Sequence, residues 1–177
     1  MAHLLSKITY AVFTTAAIAI ATSLPQTSQV SAQNATGAAE ILNAHNKYRQ
    51  EVNVPPLKWS NTLASNAQKW ANYLASRGGA LQHSQNSGEG ENLWAGTAGY
   101  FSYTQMVDSW GKEKQYFVNG TFPNVSSTGN WYDVGHYTQI IWRNTTAVGC
   151  GVARGGGKDI LVCRYSPPGN YRGQKVY

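Results

Sequence analysis

Two cysteines constrain the fold of this chain more than any other feature. Cys150 and Cys163 are the only cysteines, and the apolar segments that they bound meet at Gly155-Gly156-Gly157. Two apolar segments around a glycine turn predict a β-hairpin, which would bring the cysteines opposite each other and within bridging range. A disulfide closing so short a loop stabilises a fold by roughly 3 kcal/mol. Zinc ligation by cysteine and histidine is the alternative, but the spacing lacks a CxxC knuckle, so the pattern favours the disulfide.

The N-terminal segment is typical of a secretory signal. His3 and Lys7 precede an apolar run over residues 11–21 that contains no charge, and a polar stretch then leads to the small-x-small motif Val30-Ser31-Ala32. A membrane anchor is the alternative. The apolar run, however, has about half of the ~20 residues that a membrane-spanning helix needs. The pattern therefore favours export.

Cleavage after Ala32 is expected, with cleavage after Ala21 as the second choice. The chain then consists of a signal peptide over residues 1–32 and one domain over residues 33–177. A chain of this length can bury a core for one domain but not comfortably for two.

The charge pattern argues against a nucleic-acid partner. Without Lys7 the domain carries 13 basic and 8 acidic side chains, a net charge of +5. The bases are scattered along the chain and form no basic run or stripe. Mild attraction to anionic cell walls or lipid head groups is the expected consequence.

Apolar residues at helical spacing predict three helices. The first runs from about Ala39 to Val52, with His45 on its inward stripe. The second begins after Ser60, a suitable N-cap, and ends at Arg77-Gly78-Gly79. The third spans roughly 102–117. Helices followed by few, late strands indicate an α+β domain.

Glu113 is conspicuous within the third helix, because it shares the apolar stripe of Met106, Trp110 and Phe117. A carboxylate on such a stripe is costly to bury unless it has a partner. The periodicity therefore predicts a specific partner for Glu113.

A glycine-rich connection over residues 82–99 is long for a compact domain, which favours a functional role. It holds His83, Glu89 and Glu91. The domain contains no HExxH pair or other local metal motif. From spacing alone, a structural role is the simpler interpretation of each of its histidines, which are His45, His83 and His136.

Four short strings follow one another along the domain. They are His45-Asn46-Lys47-Tyr48-Arg49, Gly90-Glu91-Asn92-Leu93, GHYTQIIW over residues 135–142 and CRYSPPGNY over residues 163–171. In this order they resemble the signature motifs of the CAP superfamily, the cysteine-rich secretory, antigen 5 and pathogenesis-related 1 proteins. The resemblance covers about residues 41–171 and implies a three-layer α-β-α sandwich with a central antiparallel sheet. A single cysteine pair and no cysteine-rich tail distinguish this chain from familiar plant and animal members.

The resemblance also implies a cleft lined by two histidines and two glutamates. Carried over residue by residue, these are His83 and His136, with Glu91 and Glu113. Two neutral imidazoles can hold one divalent cation, most readily zinc or copper, while the glutamates orient the imidazoles or a bound water. A catalytic zinc usually has three protein ligands, so weak binding is expected. Glu89 lies outside the family pattern and is expected to be a solvated loop acid.

The remaining motif residues are expected to support the fold. These are Asn46, Arg49, Tyr165 and Asn170, with Trp142 in the core.

Three functions are compatible with this sequence. The first is a secreted, non-enzymatic protein that binds a sterol or fatty acid, as some CAP relatives do, in a groove near the aromatic side chains of Phe117, Phe122, Trp131 and Tyr132. The second is an extracellular defence or interaction module that associates with cell walls or membrane surfaces. The alternative is a metal-dependent hydrolase or peptidase in which Glu91 and Glu113 are the candidate catalytic residues.

Overall fold

The computed structural model describes residues 26–85 and 87–177, with side chains from residue 36 onward. The apolar run of the predicted signal peptide lies outside these residues. The helices are α1 (Gln26–Glu51), α2 (Asn61–Ser76), α3 (Tyr103–Gly111) and α4 (Gly135–Ile141); the strands are β1 (Lys58–Trp59), β2 (Gly90–Thr97), β3 (Ala147–Gly155) and β4 (Lys158–Ser166). Two short 3₁₀ helices cover Lys112–Tyr116 and Trp131–Asp133. None of the helices described is long and apolar enough to cross a membrane.

The four strands form one sheet in the order β1-β3-β4-β2. Both β2 and β3 pair antiparallel with β4. The two-residue β1 pairs in parallel with Ala147 and Val148, so the sheet is mixed at this edge. The predicted α+β sandwich with an antiparallel centre is confirmed.

The predicted hairpin is formed by β3 and β4. Cys150 lies opposite Cys163 in its register, and the two sulfur atoms are bonded. Both cysteines belong to the buried core. The disulfide therefore joins the two central strands of the sheet.

One face of the sheet is covered by α2. Glycines make this packing close: a Cβ at Gly149 would lie 2.2 Å from the backbone N of Ala64, and one at Gly151 would lie 2.4 Å from the Cα of Gln68. Ser60 caps the helix by accepting the N–H of Leu63, as its sequence position predicts. The small apolar cluster of this layer contains Leu74, Leu93, Ile160 and Val162.

The other face carries α1, α3 and α4 over the larger core. Arg49 ties α1 to the C-terminal end of α4. Its fully buried guanidinium donates to the carbonyl oxygens of Ile140, Trp142 and Thr145 at 2.8–3.0 Å. It also donates to the carbonyl oxygen of Pro55 at 2.6 Å. Burial lowers its pKa to about 10, so it stays charged at neutral pH. Arg49 and the buried Trp142 thus have the structural roles expected of them.

Two helix boundaries differ from the sequence prediction. α1 begins at Gln26 instead of about Ala39, and no proline lies between Gln26 and Pro55. The third helix is N-capped by Ser102 and tightens into a 3₁₀ turn after Gly111. A Cβ at Gly111 would overlap the ring of Tyr48, so this glycine lets α3 approach α1.

Candidate functional site

Glu113 accepts three hydrogen bonds at the start of α4, two of them from His136. Its Oε1 accepts from Nδ1 of His136 at 2.6 Å, and its Oε2 accepts the backbone N–H groups of His136 and Tyr137, each at 3.0 Å. These N–H groups belong to the first turn of α4, where helical N–H groups lack internal partners. The partner that periodicity predicted for Glu113 is therefore the start of α4 and its histidine.

The ring of His136 is also fixed from one side. It lies nearly parallel to the indole of Trp110, with 6.0 Å between ring centroids and 12° between planes. Trp110 is held in turn by an N–H bond to the carbonyl of Leu93 at 3.1 Å. Because Nδ1 donates to a carboxylate, Nε2 is the nitrogen left to bind another group.

A second histidine–glutamate pair lies at the start of β2. Oε1 of Glu91 accepts from Nδ1 of His83 at 2.6 Å and from the backbone N–H of Ser84 at 3.0 Å. Arg164 forms an ion pair with Oε2 of Glu91 at 2.9 Å. Burial by itself would raise the pKa of Glu91. The His83 hydrogen bond and the Arg164 charge together lower it by more, so the pKa is below its ordinary value.

Glu89 belongs to the same cluster, which corrects the prediction of a solvated loop acid. It is half-buried, accepts from Nδ2 of Asn66 at 2.7 Å and lies 3.5 Å from Nη1 of Arg164. Sequence reasoning missed this cluster, because nothing in the spacing places the buried Arg164 beside the loop acids. Its formal charges are one positive and two negative, which leaves a net charge of −1 beside His83.

Asn92 links the two pairs. It follows Glu91 in β2, and its Nδ2 donates to the carbonyl of His136 and to the hydroxyl of Tyr165, each at 3.1 Å. The two histidine–glutamate pairs therefore lie near the same end of the sheet. They differ in exposure, since the His83 side chain is 62 % exposed and that of His136 is 35 % exposed.

His45 lies outside this site, in the core beneath it. Its Nδ1 donates to the carbonyl of Ile41 at 2.8 Å, and its Nε2 accepts from the hydroxyl of Tyr165 at 2.8 Å. Desolvation lowers its pKa to about 4, so the ring is neutral at physiological pH. The structural interpretation is correct for this histidine.

No group of three or more histidine, cysteine, aspartate or glutamate side chains is arranged to hold a metal ion in the part of the chain that the structure describes. Each paired histidine nevertheless has its Nδ1–H oriented by a carboxylate, as metal-binding histidines do. The donor set therefore suits at most a two-nitrogen site that leaves other positions to water.

Comparison with known protein families and structures identifies the family of this chain. The CAP family, described as the cysteine-rich secretory protein family, matches residues 42–165. The chain belongs to the CAP superfamily. Pathogenesis-related protein 1A of Nicotiana tabacum is 40 % identical over 139 residues, covering 78 % of this chain and 79 % of that protein. Cysteine-rich secretory protein 2 of Homo sapiens is 36 % identical over 77 % of this chain and 58 % of that protein.

Solved CAP structures share the fold. BmVAL-1 superposes with a TM-score of 0.66 at 30 % identity, covering 80 % of this chain and 81 % of that chain. NaASP2, whose crystal structure was obtained with Zn²⁺, gives a TM-score of 0.69 at 24 % identity over 80 % and 85 % of the two chains. The disulfide of this CAP domain is consistent with the extracellular location of its secreted relatives.

Two other CAP motif residues hold neighbouring segments of the fold together. Asn46 exchanges hydrogen bonds with the backbone of Leu57 at 2.7 and 3.1 Å. Asn170 bonds the hydroxyl of Thr138 and the carbonyl of Gly135 at 2.7 and 2.8 Å, next to His136. The Asn170 contacts fix the first turn of α4, which carries His136, whereas the Asn46 contacts tie α1 to the segment before β1.

The four aromatic groove candidates of this CAP domain have different surroundings. Phe122 is buried in the core, Phe117 and Trp131 pack against it, and Tyr132 is exposed. Trp131 and Tyr132 stack at 3.9 Å between centroids. A cavity of about 710 Å³ lies elsewhere, between α1, α2 and β3.

Proposed function

We propose that this CAP domain is a secreted, non-enzymatic binding protein whose His/Glu cleft holds one divalent cation weakly. One observation carries the proposal: His83 and His136 each donate Nδ1–H to a glutamate at 2.6 Å, which leaves Nε2 of each ring available. Imidazole nitrogens suit zinc and copper. The Zn²⁺ of the NaASP2 structure belongs to that protein, and at 24 % identity the likeness carries the fold alone.

Hydrolysis is the alternative use of the same cleft. Glu91 and Glu113 would then be the catalytic carboxylates, acting on a metal-bound water. Both carboxylates already accept two or three protein N–H groups, which favours an orienting role over proton transfer. Two protein nitrogens are also one fewer than a catalytic zinc usually has.

Calorimetry with zinc and copper tests the cation site. The folded domain is titrated beside His83→Ala, His136→Ala and Lys69→Gln, an exposed residue on α2. Binding in the micromolar range that both histidine variants lose and Lys69→Gln retains supports the proposal. No binding, or binding indifferent to the histidines, overturns it. Hydrolytic activity that requires metal, His136 and Glu113 would support the alternative.

We also propose that the domain binds a sterol or fatty acid. The cavity between α1, α2 and β3 favours this function, because about 710 Å³ lies within the range of small-molecule sites. Its walls include the apolar side chains of Ile41, Leu42, Trp59 and Val152. Saturable binding by the delipidated protein supports lipid binding, and its absence for sterols and fatty acids alike overturns it.

Association with cell walls or membrane surfaces is compatible with both proposals. The net charge of the whole chain is +6, which favours anionic polymers and head groups. Salt-sensitive retention on anionic vesicles or wall material would support this role, and no retention at low salt would overturn it.

A further inference from the structure

Arg49 is a buried positive charge without a counter-ion. Its guanidinium is fully buried, and its hydrogen bonds all go to backbone carbonyl oxygens. None of the ion pairs among the described side chains involves it. Buried charges are ordinarily paired, and carbonyl dipoles solvate a cation without neutralising it. The segments around Arg49 therefore enclose one uncompensated positive charge.

Lys58 and Arg143 lie on the segments that surround this guanidinium. Lys58 begins β1 shortly after Pro55, whose carbonyl accepts from Arg49. Arg143 directly follows Trp142, another of the acceptors. Burial and then the charge of Arg143 lower the pKa of Arg49 to about 10, because the two cations lie near each other. Two exposed cations thus flank the buried one.

Backbone hydrogen bonds bring Lys175 to the same surface. The N–H of Arg143 donates to the carbonyl of Val176 at 2.9 Å, and Lys175 precedes this contact by one residue. The N–H of Lys58 donates to the carbonyl of Thr146 at 3.0 Å, shortly after Arg143 in the chain. All three cationic side chains are exposed. Lys58, Arg143 and Lys175 therefore form one exposed surface, the basic face.

No acidic side chain belongs to the segments that form the basic face. Aspartate and glutamate are missing from residues 57–60, 142–147 and 171–177. All eight acidic side chains lie elsewhere, and each has a hydrogen-bond partner of its own. Within the described part of the chain, no carboxylate, including that of the terminal Tyr177, forms an ion pair with the basic face. Its positive charge is therefore uncompensated.

The surroundings of the basic face favour a polyanion rich in hydroxyl groups. Exposed amide and hydroxyl side chains lie next to the cations on the same segments, at Asn144, Thr146 and Gln174. Such groups donate to and accept from sugar hydroxyl groups. A surface that binds a bilayer would combine its cations with a large apolar area. On these segments Tyr171 is the one large hydrophobic side chain that is exposed, so a polysaccharide fits better than a membrane.

We propose that the basic face binds an anionic polysaccharide. A polymer with a carboxylate or sulfate on each repeating unit can meet several cations at once, and the uncompensated charge of Arg49 adds to the positive potential behind them. Salt weakens such an attraction by screening it. The inference rests on the proposed association with cell walls and specifies the surface and the class of polymer.

The test compares polymers that differ in charge. The folded domain is titrated at low salt with polygalacturonate and its methyl ester, and with dextran sulfate and neutral dextran. We expect saturable binding of at least one anionic polymer, binding at least about tenfold weaker for its neutral counterpart, and loss of binding as the salt concentration rises. The anionic polymer that binds more tightly identifies the anionic group. Equal binding of charged and neutral polymers overturns the proposal.

Two triple variants of equal net charge locate the binding surface. The first removes the charges of the basic face through Lys58→Gln, Arg143→Gln and Lys175→Gln. The control removes three exposed cations on α2 and at the opposite end of β4 through Lys69→Gln, Arg77→Gln and Lys158→Gln. Circular dichroism checks that both fold. We expect the first variant to bind at least about tenfold more weakly and the control to bind nearly as the unmodified protein does. Equal weakening would show attraction by net charge alone and overturn the basic face.

Anionic vesicles separate a polysaccharide partner from a membrane partner. Vesicles that contain phosphatidylserine are tested with the same two variants. Vesicle binding that requires the basic face and is tighter than binding of either anionic polymer overturns the polysaccharide assignment but leaves surface association intact. If polymers, wall material and vesicles all fail to retain the unmodified protein at low salt, the proposed association fails and the inference fails with it.

Discussion

The carboxylate of Glu113 binds His136 twice, through the ring Nδ1 at 2.6 Å and through the backbone N–H at 3.0 Å. One side chain thus caps the first turn of α4 and fixes the tautomer of the histidine that the turn carries. The stability of the fold and the orientation of the His136 ring in the cleft therefore depend on the same carboxylate.

Glu113→Gln should therefore change both properties. The amide keeps one acceptor oxygen and places an NH₂ group against an N–H donor, so the free energy of unfolding should fall by about 1–3 kcal/mol. Urea unfolding measures this loss, and ¹⁵N NMR of the imidazole reports the tautomer. Glu51→Gln is the matched control, because its exposed ion pair with Lys114 should contribute under about 1 kcal/mol. Equal losses in both variants would contradict this role.

Acidification should destabilise the protein through His45. Burial lowers the pKa of this ring in the folded state to about 4, from an ordinary value of 6.5. Between these values the unfolded chain binds a proton that the folded chain does not, so stability falls as the pH decreases from 6.5 to about 4. The full loss is about 3 kcal/mol. Unfolding curves at several pH values should show it, and an NMR titration should show His45 neutral at pH 5. A His45 ring that titrates near pH 6.5 in the folded protein would contradict the prediction.

Gly149→Ala should disturb the contact between α2 and β3. The new Cβ would lie 2.2 Å from the N of Ala64 and 2.4 Å from the carbonyl O of Ser60, and backbone atoms cannot move as a flexible side chain does. Overpacking of this kind costs about 1–3 kcal/mol. Gly78→Ala is the comparison: it meets nothing within 4 Å but has a φ of +83°, so its cost is about 1–2 kcal/mol of backbone strain. Thermal unfolding should show a larger loss of stability for Gly149→Ala than for Gly78→Ala. A loss of stability no larger than that of Gly78→Ala would argue against close packing of α2 on β3 at Gly149.

Removal of the disulfide should lower stability without changing the sheet register. Replacing Cys150 and Cys163 together by alanine releases a loop closed across 13 positions and should cost about 3 kcal/mol. Chemical denaturation of the double variant measures the loss, and far-ultraviolet circular dichroism checks the fold. Unchanged stability would show that the hairpin is held by packing and backbone bonds alone.

Periodicity and local chemistry predicted the parts of this protein that depend on near neighbours in sequence. The hairpin follows from two apolar segments around glycines, the inward position of His45 from helical spacing, and the need of Glu113 for a partner from its place on an apolar stripe. The CAP resemblance then assigned His83, His136, Glu91 and Glu113 to one site. The structure pairs each of these histidines with one glutamate.

The tertiary structure alone decided the contacts between distant segments. Sequence spacing does not indicate that Arg164 of β4 pairs with both Glu89 and Glu91. The alternating pattern of a strand does not reveal which loop packs against the end of that strand. The same holds for Gln68, whose side-chain amide exchanges two hydrogen bonds with the backbone of Val152. Such contacts depend on how helices and strands pack in three dimensions, whereas periodicity reports only which face of each element is buried.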